Sequence, residues 1–182
     1  MTVKQISRLI GTGPTNKRKE NDFYATPDYV TDVLLENESF DGEIWEPACG
    51  DGAISKRLES HGYNVYSTDL VDRGYGHDHF DFLLSHRRTK NIITNPPFNI
   101  GTKFTLQSLR LASSKVAIFN KITFLEGKER RQKLYSLRML KTVYVFSERV
   151  GFDTKTGKGG MLAFAWFVFD KSYLGDPILK FI

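Results

Sequence analysis

The chain has 182 residues, of which 40% are hydrophobic and 26% charged, a composition typical of one globular domain with a substantial core. It shows no run of the ~20 apolar residues that span a membrane and no apolar N-terminal signal segment, and its single cysteine, Cys49, excludes an intrachain disulfide and suits a reducing cytoplasm. The net charge of +5 points mildly to a polyanionic partner such as nucleic acid.

The N-terminal residues 1–21 are rich in Gly, Thr and Lys and lack hydrophobic periodicity, which predicts a flexible basic arm. A helix is expected to begin after Pro27, since proline is favoured in the first helical turn and Val30, Val33 and Leu34 share one face. Residues 22–182 are then expected to form a single domain.

Strands and helices alternate along this domain. The predicted strands are, in order, the start of EIWEPACGDG, then YNVYSTDL, NIIT, KVAIFN, TVYVF and MLAFAWFVFD. The predicted helices after the first are AISKRLESHG, which Gly62 ends, then KFTLQSLRLAS, and a basic helix over about 127–139. This alternation predicts an α/β sheet with helices on both faces. The aromatic residues of the last strand are expected in the core.

The segment EPACGDG marks the turn from the first predicted strand into a helix. Gly50 and Gly52 would let the backbone approach a ligand, and the helix N-terminus would offer free N–H groups. Glu46 ends this strand and Asp69 ends the next one, 19 residues after Gly50. An acid at that spacing is placed to accept hydrogen bonds from a ribose diol, although a turn or capping role for Asp69 is the alternative.

The acids around this turn indicate which nucleotide it would hold. A diphosphate would be repelled by Glu46, Asp51 and Asp69, whereas a ligand with a cationic amino-acid tail and a ribose suits them. This pattern favours S-adenosylmethionine over NAD. Asp81, in HFDFLL, is a further candidate that could face the adenine amino group, or it is an exposed acid before a loop. No residue set with metal-ligand spacing is found.

The segment NPPF, residues 95–98, follows a buried β-branched strand. The Asn95 side-chain oxygen and the Pro96 carbonyl could grip the two N–H bonds of a planar amino group and turn its lone pair toward a methyl donor. The prolines, Pro96 and Pro97, would make this pair of acceptors rigid. Phe98 would stack on a base, which is worth roughly 1–3 kcal/mol, and a duplex base would have to flip out to reach it.

EPACGDG followed by NPPF resembles the class I S-adenosylmethionine-dependent methyltransferases that act on exocyclic amino groups, above all DNA adenine-N6 methyltransferases. DFYATP, residues 22–27, resembles a segment of small phage and prophage members that folds over the cofactor. The resemblance implies a Rossmann-like fold with a mostly parallel seven-stranded sheet. It implies cofactor contacts from Phe23, Tyr24, Thr26, Pro27, Glu46, Pro47, Ala48, Gly50, Gly52, Asp69, Leu70, Asp81 and Asn95.

The function expected from this resemblance is methyl transfer to adenine N6 in DNA by Asn95, Pro96, Pro97 and Phe98. RNA adenine-N6, cytosine-N4 and protein glutamine methylation, or a non-catalytic subunit that binds S-adenosylmethionine or nucleic acid, are the alternatives. The chain is expected to have no room for a separate target-recognition domain, so any reading of sequence would use the arm, the basic stretch 121–141 or the loop 147–160. The alternatives for these segments are a flexible tail, a solvated helix face and a surface hairpin. The residues predicted to bind nucleic acid are Lys17, Arg18, Lys19, Arg149, Lys155 and Lys158. Oligomeric state is left open.

Overall fold

The computed structural model describes residues 24–152 and 162–182. Its strands are β1 (Ile44–Glu46), β2 (Val65–Ser67), β3 (Asn91–Thr94), β4 (Lys115–Lys121), β5 (Leu140–Val145), β6 (Phe164–Asp170) and β7 (Ile178–Phe181). Its helices are α1 (Asp28–Asn37), α2 (Ala53–Ser60), α3 (Gly101–Leu111) and α4 (Lys128–Lys133), with 3₁₀ turns at Phe82–Leu84, Phe98–Ile100, Ile122–Leu125 and Tyr135–Leu137. The predicted arm, residues 1–21, lies outside the described residues.

The seven strands form one sheet in the order β2-β1-β3-β4-β6-β5-β7. All neighbouring pairs are parallel except those of β6, which runs antiparallel to both β4 and β5. The expectation of a mostly parallel seven-stranded sheet is therefore confirmed. The edge strand β7 was absent from the sequence-based strands, because its four residues are all exposed and give no burial pattern.

Helices cover both faces of the sheet, as expected. On one face, Phe104 and Leu109 of α3 pack with Ile92 and Ile118. On the other face, α1 and α2 bury their apolar stripes against β3, β4 and β6; the residues of this cluster include Val30, Leu34, Ile54, Leu58, Ile93, Phe119 and Trp166. The aromatic side chains of β6 are fully buried, which confirms their core role, and burial stabilises each by about 1.5–3 kcal/mol.

The basic helix predicted over 127–139 is wrong in its length. The structure ends α4 at Lys133, follows it with a 3₁₀ turn, and places Arg138 in the left-handed region with φ +56°. Tertiary contacts override the local pattern here: Leu134 is fully buried, and the Tyr135 hydroxyl donates to the Phe124 carbonyl oxygen. Six exposed or half-exposed residues alone do not bury enough surface to continue the helix.

The carboxyl ends of the parallel strands β1 to β4 meet at one edge of the sheet. Glu46, Asp69, Asn95 and Lys121 lie at or just beyond these ends. Ligands of open α/β sheets bind in the crevice at this edge. Within the described part of the chain, no helix combines the length and apolar character required to cross a membrane.

Candidate functional site

A cavity of about 640 Å³ opens at this edge of the sheet, within the size range of small-molecule sites. Ten of the residues singled out from the sequence line it: Tyr24, Thr26, Glu46, Pro47, Ala48, Asp69, Leu70, Asp81, Asn95 and Pro97. The Gly-rich turn and the NPPF segment, 43 residues apart between Gly52 and Asn95, therefore contribute to one cavity.

The other residues predicted from the sequence do not line the cavity or lie outside the described part of the chain. Pro27, Gly50, Gly52, Pro96 and Phe98 are not among the residues that line the cavity, and they lie next to residues that do. Phe23, Lys17, Arg18, Lys19, Lys155 and Lys158 fall outside the described residues. Arg149, the one predicted nucleic-acid contact within the described part, is exposed.

Asp51, named from the sequence among the acids of the Gly-rich turn, also lines the cavity. The cavity further contains residues that the sequence reasoning did not assign to it, among them Cys49, Val71, Arg73, Phe80, Phe82, Asn99, Ile100 and Phe104. Most of these adjoin a residue that was identified, so a wider window around each motif would have included them. Arg73 and Phe104 adjoin no residue named from the sequence, because they reach the cavity from the loop after β2 and the first turn of α3.

Asp69 fixes the Gly-rich turn against the loop that follows β2. Its Oδ2 accepts a hydrogen bond of 2.8 Å from the Gly50 N–H, and its Oδ1 accepts one of 2.9 Å from the Val71 N–H. Gly50 and Gly52 have φ values of +58° and +84°, in the left-handed region where glycine is unstrained. Asp69 thus holds both segments that form this side of the cavity.

Gly52 has a packing role that the sequence did not reveal. A Cβ built at this position would lie 2.5 Å from the ring of Tyr75. The Tyr75 hydroxyl donates to Glu59 Oε1 at 2.9 Å, and the Cys49 Sγ lies 3.5 Å from the Tyr75 carbonyl oxygen. The absence of a side chain at Gly52 therefore lets the loop after β2 close over the turn.

Glu46 lies at the bottom of the cavity and is 1% exposed. The Ser55 hydroxyl donates to its Oε2, and the Ser55 and Ser67 hydroxyl oxygens are 2.6 Å apart. Burial raises the pKa of Glu46 well above its usual range, and the nearby charges of Asp69 and Asp51 raise it further, against the opposing effect of the Ser55 hydrogen bond. A cationic ligand group would relieve this unfavourable environment of the carboxylate.

Cys49 is a packing residue in the same turn. It is 3% exposed, and burial, followed by the charge of Glu46, raises the pKa of its thiol to about 12. The thiol is therefore neutral at physiological pH and unsuited to nucleophilic chemistry.

Asn95 is held by the segment that precedes α1. Its Nδ2 donates to the Thr26 Oγ1 at 3.0 Å and to the Tyr24 carbonyl oxygen at 3.3 Å. Because both partners accept hydrogen bonds from the amide nitrogen, the amide oxygen must point the other way. The Asn95 Oδ1 is buried and has no hydrogen-bond partner. It is available to a ligand that carries an N–H group.

A second buried acceptor without a partner is the Oδ1 of Asp51 in the Gly-rich turn. Native proteins rarely leave buried acceptors unpaired, because each costs about 1–3 kcal/mol. Asn95 and Asp51 both line the cavity, so a ligand that donates hydrogen bonds there could satisfy both atoms.

Phe98 begins the 3₁₀ turn that leads into α3 and is half-buried. Its ring lies nearly parallel to that of Tyr24, with the centroids 6.1 Å apart and an interplanar angle of 21°, and it also contacts Phe164. The Lys121 Nζ lies 4.7 Å from the Phe98 ring centroid. Among the described residues, no cluster of His, Cys, Asp and Glu is suited to a metal ion.

The fold is shared with solved structures of methyltransferases. A candidate class I S-adenosylmethionine-dependent methyltransferase from Listeria monocytogenes matches with a TM-score of 0.63 and 11% identity, over 97% of this chain and 70% of that one. The modification subunit of a candidate type I restriction enzyme from Vibrio vulnificus matches with a TM-score of 0.57 and 16% identity, over 96% of this chain and 50% of that one. A candidate RNA methyltransferase from Pyrococcus horikoshii matches with a TM-score of 0.56 and 15% identity, over 92% and 97%.

At these identities the likeness establishes the fold. The chain has the class I S-adenosylmethionine-dependent methyltransferase fold, and it spans half the length of the restriction-enzyme subunit. No protein-family sequence model and no curated protein sequence matches the chain.

Proposed function

We propose that the chain is an S-adenosylmethionine-dependent methyltransferase that modifies the exocyclic N6 of adenine in nucleic acid, with DNA as the preferred substrate. The observation that carries this proposal is the buried, unpartnered Oδ1 of Asn95, held in place by Thr26 and Tyr24 and lining the same cavity as the acidic Gly-rich turn. It supplies an acceptor for an amino group next to a site suited to a cationic methyl donor.

The cavity has the chemistry that S-adenosylmethionine requires. The unpartnered Asp51 Oδ1 suits the methionine ammonium, Asp69 and Asp81 suit ribose and adenine donors, and Phe80 and Phe82 offer an apolar wall for the adenine ring. When bound, this cofactor supplies a methyl group on a sulfonium. The proposed domain comprises residues 22–182, and residues 1–21 form a basic arm. The enzyme is proposed to be cytoplasmic. Its resemblance to phage and prophage enzymes rests on DFYATP.

The residues of this chain would prepare the nitrogen for transfer. The exocyclic nitrogen of adenine is a weak nucleophile, since its lone pair is conjugated with the ring. Asn95 Oδ1 would accept one N–H and the Pro96 carbonyl the other, which draws the lone pair out of conjugation. Thr26 and Tyr24 hold the Asn95 amide in advance, and the proline ring restricts the backbone at Pro96, so little reorganisation would be required during the reaction. The proton released after transfer would leave to solvent, because an amide oxygen is not a base.

Two observations support a base over a protein glutamine as the acceptor. Phe98 and Tyr24 place aromatic rings beside Asn95, and a glutamine side chain has no ring to stack on them. The net charge of +5 suits a phosphate backbone. The fold neighbours that are described as a modification subunit and an RNA methyltransferase keep both DNA and RNA as substrates to be compared.

The test is transfer of a labelled methyl group from S-adenosylmethionine to duplex DNA, single-stranded DNA and structured RNA, followed by digestion to nucleosides and mass analysis. We expect N6-methyladenine in DNA. Asn95→Ala should lower transfer by about 10²-fold or more and leave cofactor affinity unchanged. Asn95→Asp keeps an acceptor oxygen and should retain more activity than the alanine variant but less than the wild type, because a carboxylate cannot donate to the Tyr24 carbonyl oxygen.

Other outcomes would redirect the proposal. The same product only in RNA would assign an RNA substrate. Cofactor binding with no transfer to any of the three would contradict the proposal and favour a protein substrate or a non-catalytic subunit. Equal activity of the wild type and Asn95→Ala would exclude the role given to this amide.

A further inference from the structure

The basic stretch 121–141 carries seven Lys and Arg residues, and the structure assigns most of them to internal contacts. Three of them pair with carboxylates: Lys133 with Glu129, Lys141 with Asp170, and Arg138 with Asp176. Arg130 lies over the Phe124 ring and contacts Thr102 and Thr123. Among the described residues, Lys121, Lys128, Arg130 and Arg131 have no carboxylate partner, since the contacts of Arg130 are all with neutral groups. The surplus charge of the stretch therefore rests on these four.

Lys121 is the member of this set that lies beside the NPPF segment, next to Phe98. It is the last residue of β4, which pairs in parallel with β3 so that Thr94 is opposite Ile118. Ile93, Ala117 and Phe119 pack in one core cluster. Because side chains alternate along a strand, Lys121 continues the face of Phe119, and Asn95 continues the face of Ile93.

The Lys121 ammonium already contacts the ring that would receive a base. Its Nζ lies 4.7 Å from the Phe98 ring centroid, and its side chain is half-buried. Cation–π contacts at partly exposed positions are weak. A stronger anionic partner, such as a phosphate, would therefore draw the ammonium from the ring at little cost.

The charges around the cavity make a cation at this position important. Glu46, Asp51, Asp69 and Asp81 all line the cavity, so a polyanion that approaches it meets several carboxyl groups. A base that reaches Asn95 brings the phosphates of its own nucleotide toward this edge of the sheet. A positive charge beside Phe98 offsets the repulsion at the point where the strand must come closest.

We propose that Lys121 binds the phosphate adjacent to the target nucleotide and so restricts the site to bases within a polynucleotide, against free nucleosides and protein amides. This inference rests on the proposed function, because the phosphate is placed by the base that Asn95 and Phe98 hold. It assigns a substrate-contacting role to one residue of the stretch 121–141, and it predicts a contact that is independent of base sequence.

The test compares Lys121→Met, which keeps the alkyl chain and removes the charge, with Lys121→Arg, which keeps the charge. Lys90→Met is the matched control, since Lys90 is exposed at the opposite, amino-terminal edge of the sheet. With an oligonucleotide substrate, we expect Lys121→Met to raise KM about fivefold to tenfold and to make the dependence of log(kcat/KM) on log salt shallower by about one. Cofactor affinity and kcat should change little, and Lys121→Arg should behave like the wild type.

A contribution of Lys121 to folding alone would give a different result. Lys121→Met would then lower the melting temperature while KM and the salt dependence stayed the same, which overturns the proposal. An equal effect of Lys90→Met would also overturn it, because the effect would then come from total charge. Transfer to free adenosine should be insensitive to Lys121→Met, and a loss there as large as with the oligonucleotide would contradict the phosphate contact.

Failure of the proposed function can be separated from failure of this inference. If the wild type methylates no nucleic acid, binding of a labelled oligonucleotide is measured directly by fluorescence anisotropy. Affinity that falls with Lys121→Met and recovers with Lys121→Arg would uphold the phosphate contact without the chemistry. Affinity that is the same in the wild type and Lys121→Met would reject it.

Discussion

The two sides of the cavity satisfy their polar groups in opposite ways. The glycine-turn side, residues 46–52 with the loop 67–77, is bonded within itself: Gly50 to Asp69, Ser55 to Glu46 and Ser67, Cys49 to Tyr75. On the asparagine side, formed by Tyr24 to Thr26, residues 95–98 and Lys121, the Asn95 amide nitrogen is held by Thr26 and Tyr24, and the Asn95 Oδ1 has no hydrogen-bond partner.

This difference separates a scaffold from a reactive surface. The glycine-turn side retains its shape through its own hydrogen bonds, with Asp51 Oδ1 as the buried acceptor left over. The asparagine side has an amide oxygen without a protein partner and an ammonium group held only by a cation–π contact, and both are assigned to the substrate by the proposals above. Changes on the first side should therefore act mainly on stability, and changes on the second mainly on turnover.

The largest expected effect on stability is that of Gly52→Ala. Alanine at φ +84° is strained, and its Cβ would clash with the Tyr75 ring at 2.5 Å, so we expect a loss of about 2–4 kcal/mol in the free energy of unfolding. Urea denaturation measures this value. Gly62→Ala is the matched control, since Gly62 has φ +85° but a Cβ there meets nothing within 4 Å.

The control should cost about 1–2 kcal/mol, from backbone strain alone. Equal losses in the two variants would show that the loop after β2 moves away without cost. The glycine-turn side would then be softer than its hydrogen bonds indicate.

Glu46→Gln should change how stability depends on pH. Since burial raises the folded-state pKa of Glu46 well above the unfolded one, folding takes up a proton between these two values. The free energy of unfolding therefore falls as pH rises from about 4.3, the unfolded value, through the folded pKa. Between the two pKa values, the free energy of unfolding falls by about 1.4 kcal/mol for each unit that the pH rises.

Glutamine imitates the protonated side chain, so the variant should lose less stability than the wild type between pH 5 and pH 8, as measured by urea midpoints. Glu36→Gln, on the exposed surface of α1, should follow the wild type. An unchanged slope in Glu46→Gln would mean that the buried carboxyl group is ionised at no cost, contrary to its environment.

Most of the fold and the two motifs, EPACGDG and NPPF, could be predicted from the sequence, because both depend on local signals. Apolar periodicity and glycine positions identified α1 to α3 and the strands β1 to β6. The packing of Tyr75 on Gly52, the early end of α4 and the exposed edge strand β7 depend on contacts between distant segments, which a local pattern does not encode.

The same limit applies within the site. The NPPF segment predicts Asn95 as an acceptor, but the orientation of its amide depends on Thr26 and Tyr24, about 70 residues earlier. The cofactor contacts assigned to Phe98 and the glycines by resemblance stay predictions, as do the nucleic-acid contacts of Arg149 and of residues outside the described part.

The smallest effect is expected from Thr26→Val, which removes the hydroxyl that accepts from Asn95 Nδ2 and keeps the side-chain volume. The Tyr24 carbonyl would still hold the amide, so the Oδ1 would be less firmly oriented rather than lost. We expect kcat to fall about tenfold, with cofactor affinity, measured by calorimetry, within about twofold of the wild type. Thr26→Ser restores the hydroxyl and should recover most of kcat. If cofactor affinity fell instead and kcat did not, Thr26 would act on the cofactor, as the resemblance implies, and the asparagine side would have to be oriented by Tyr24 alone.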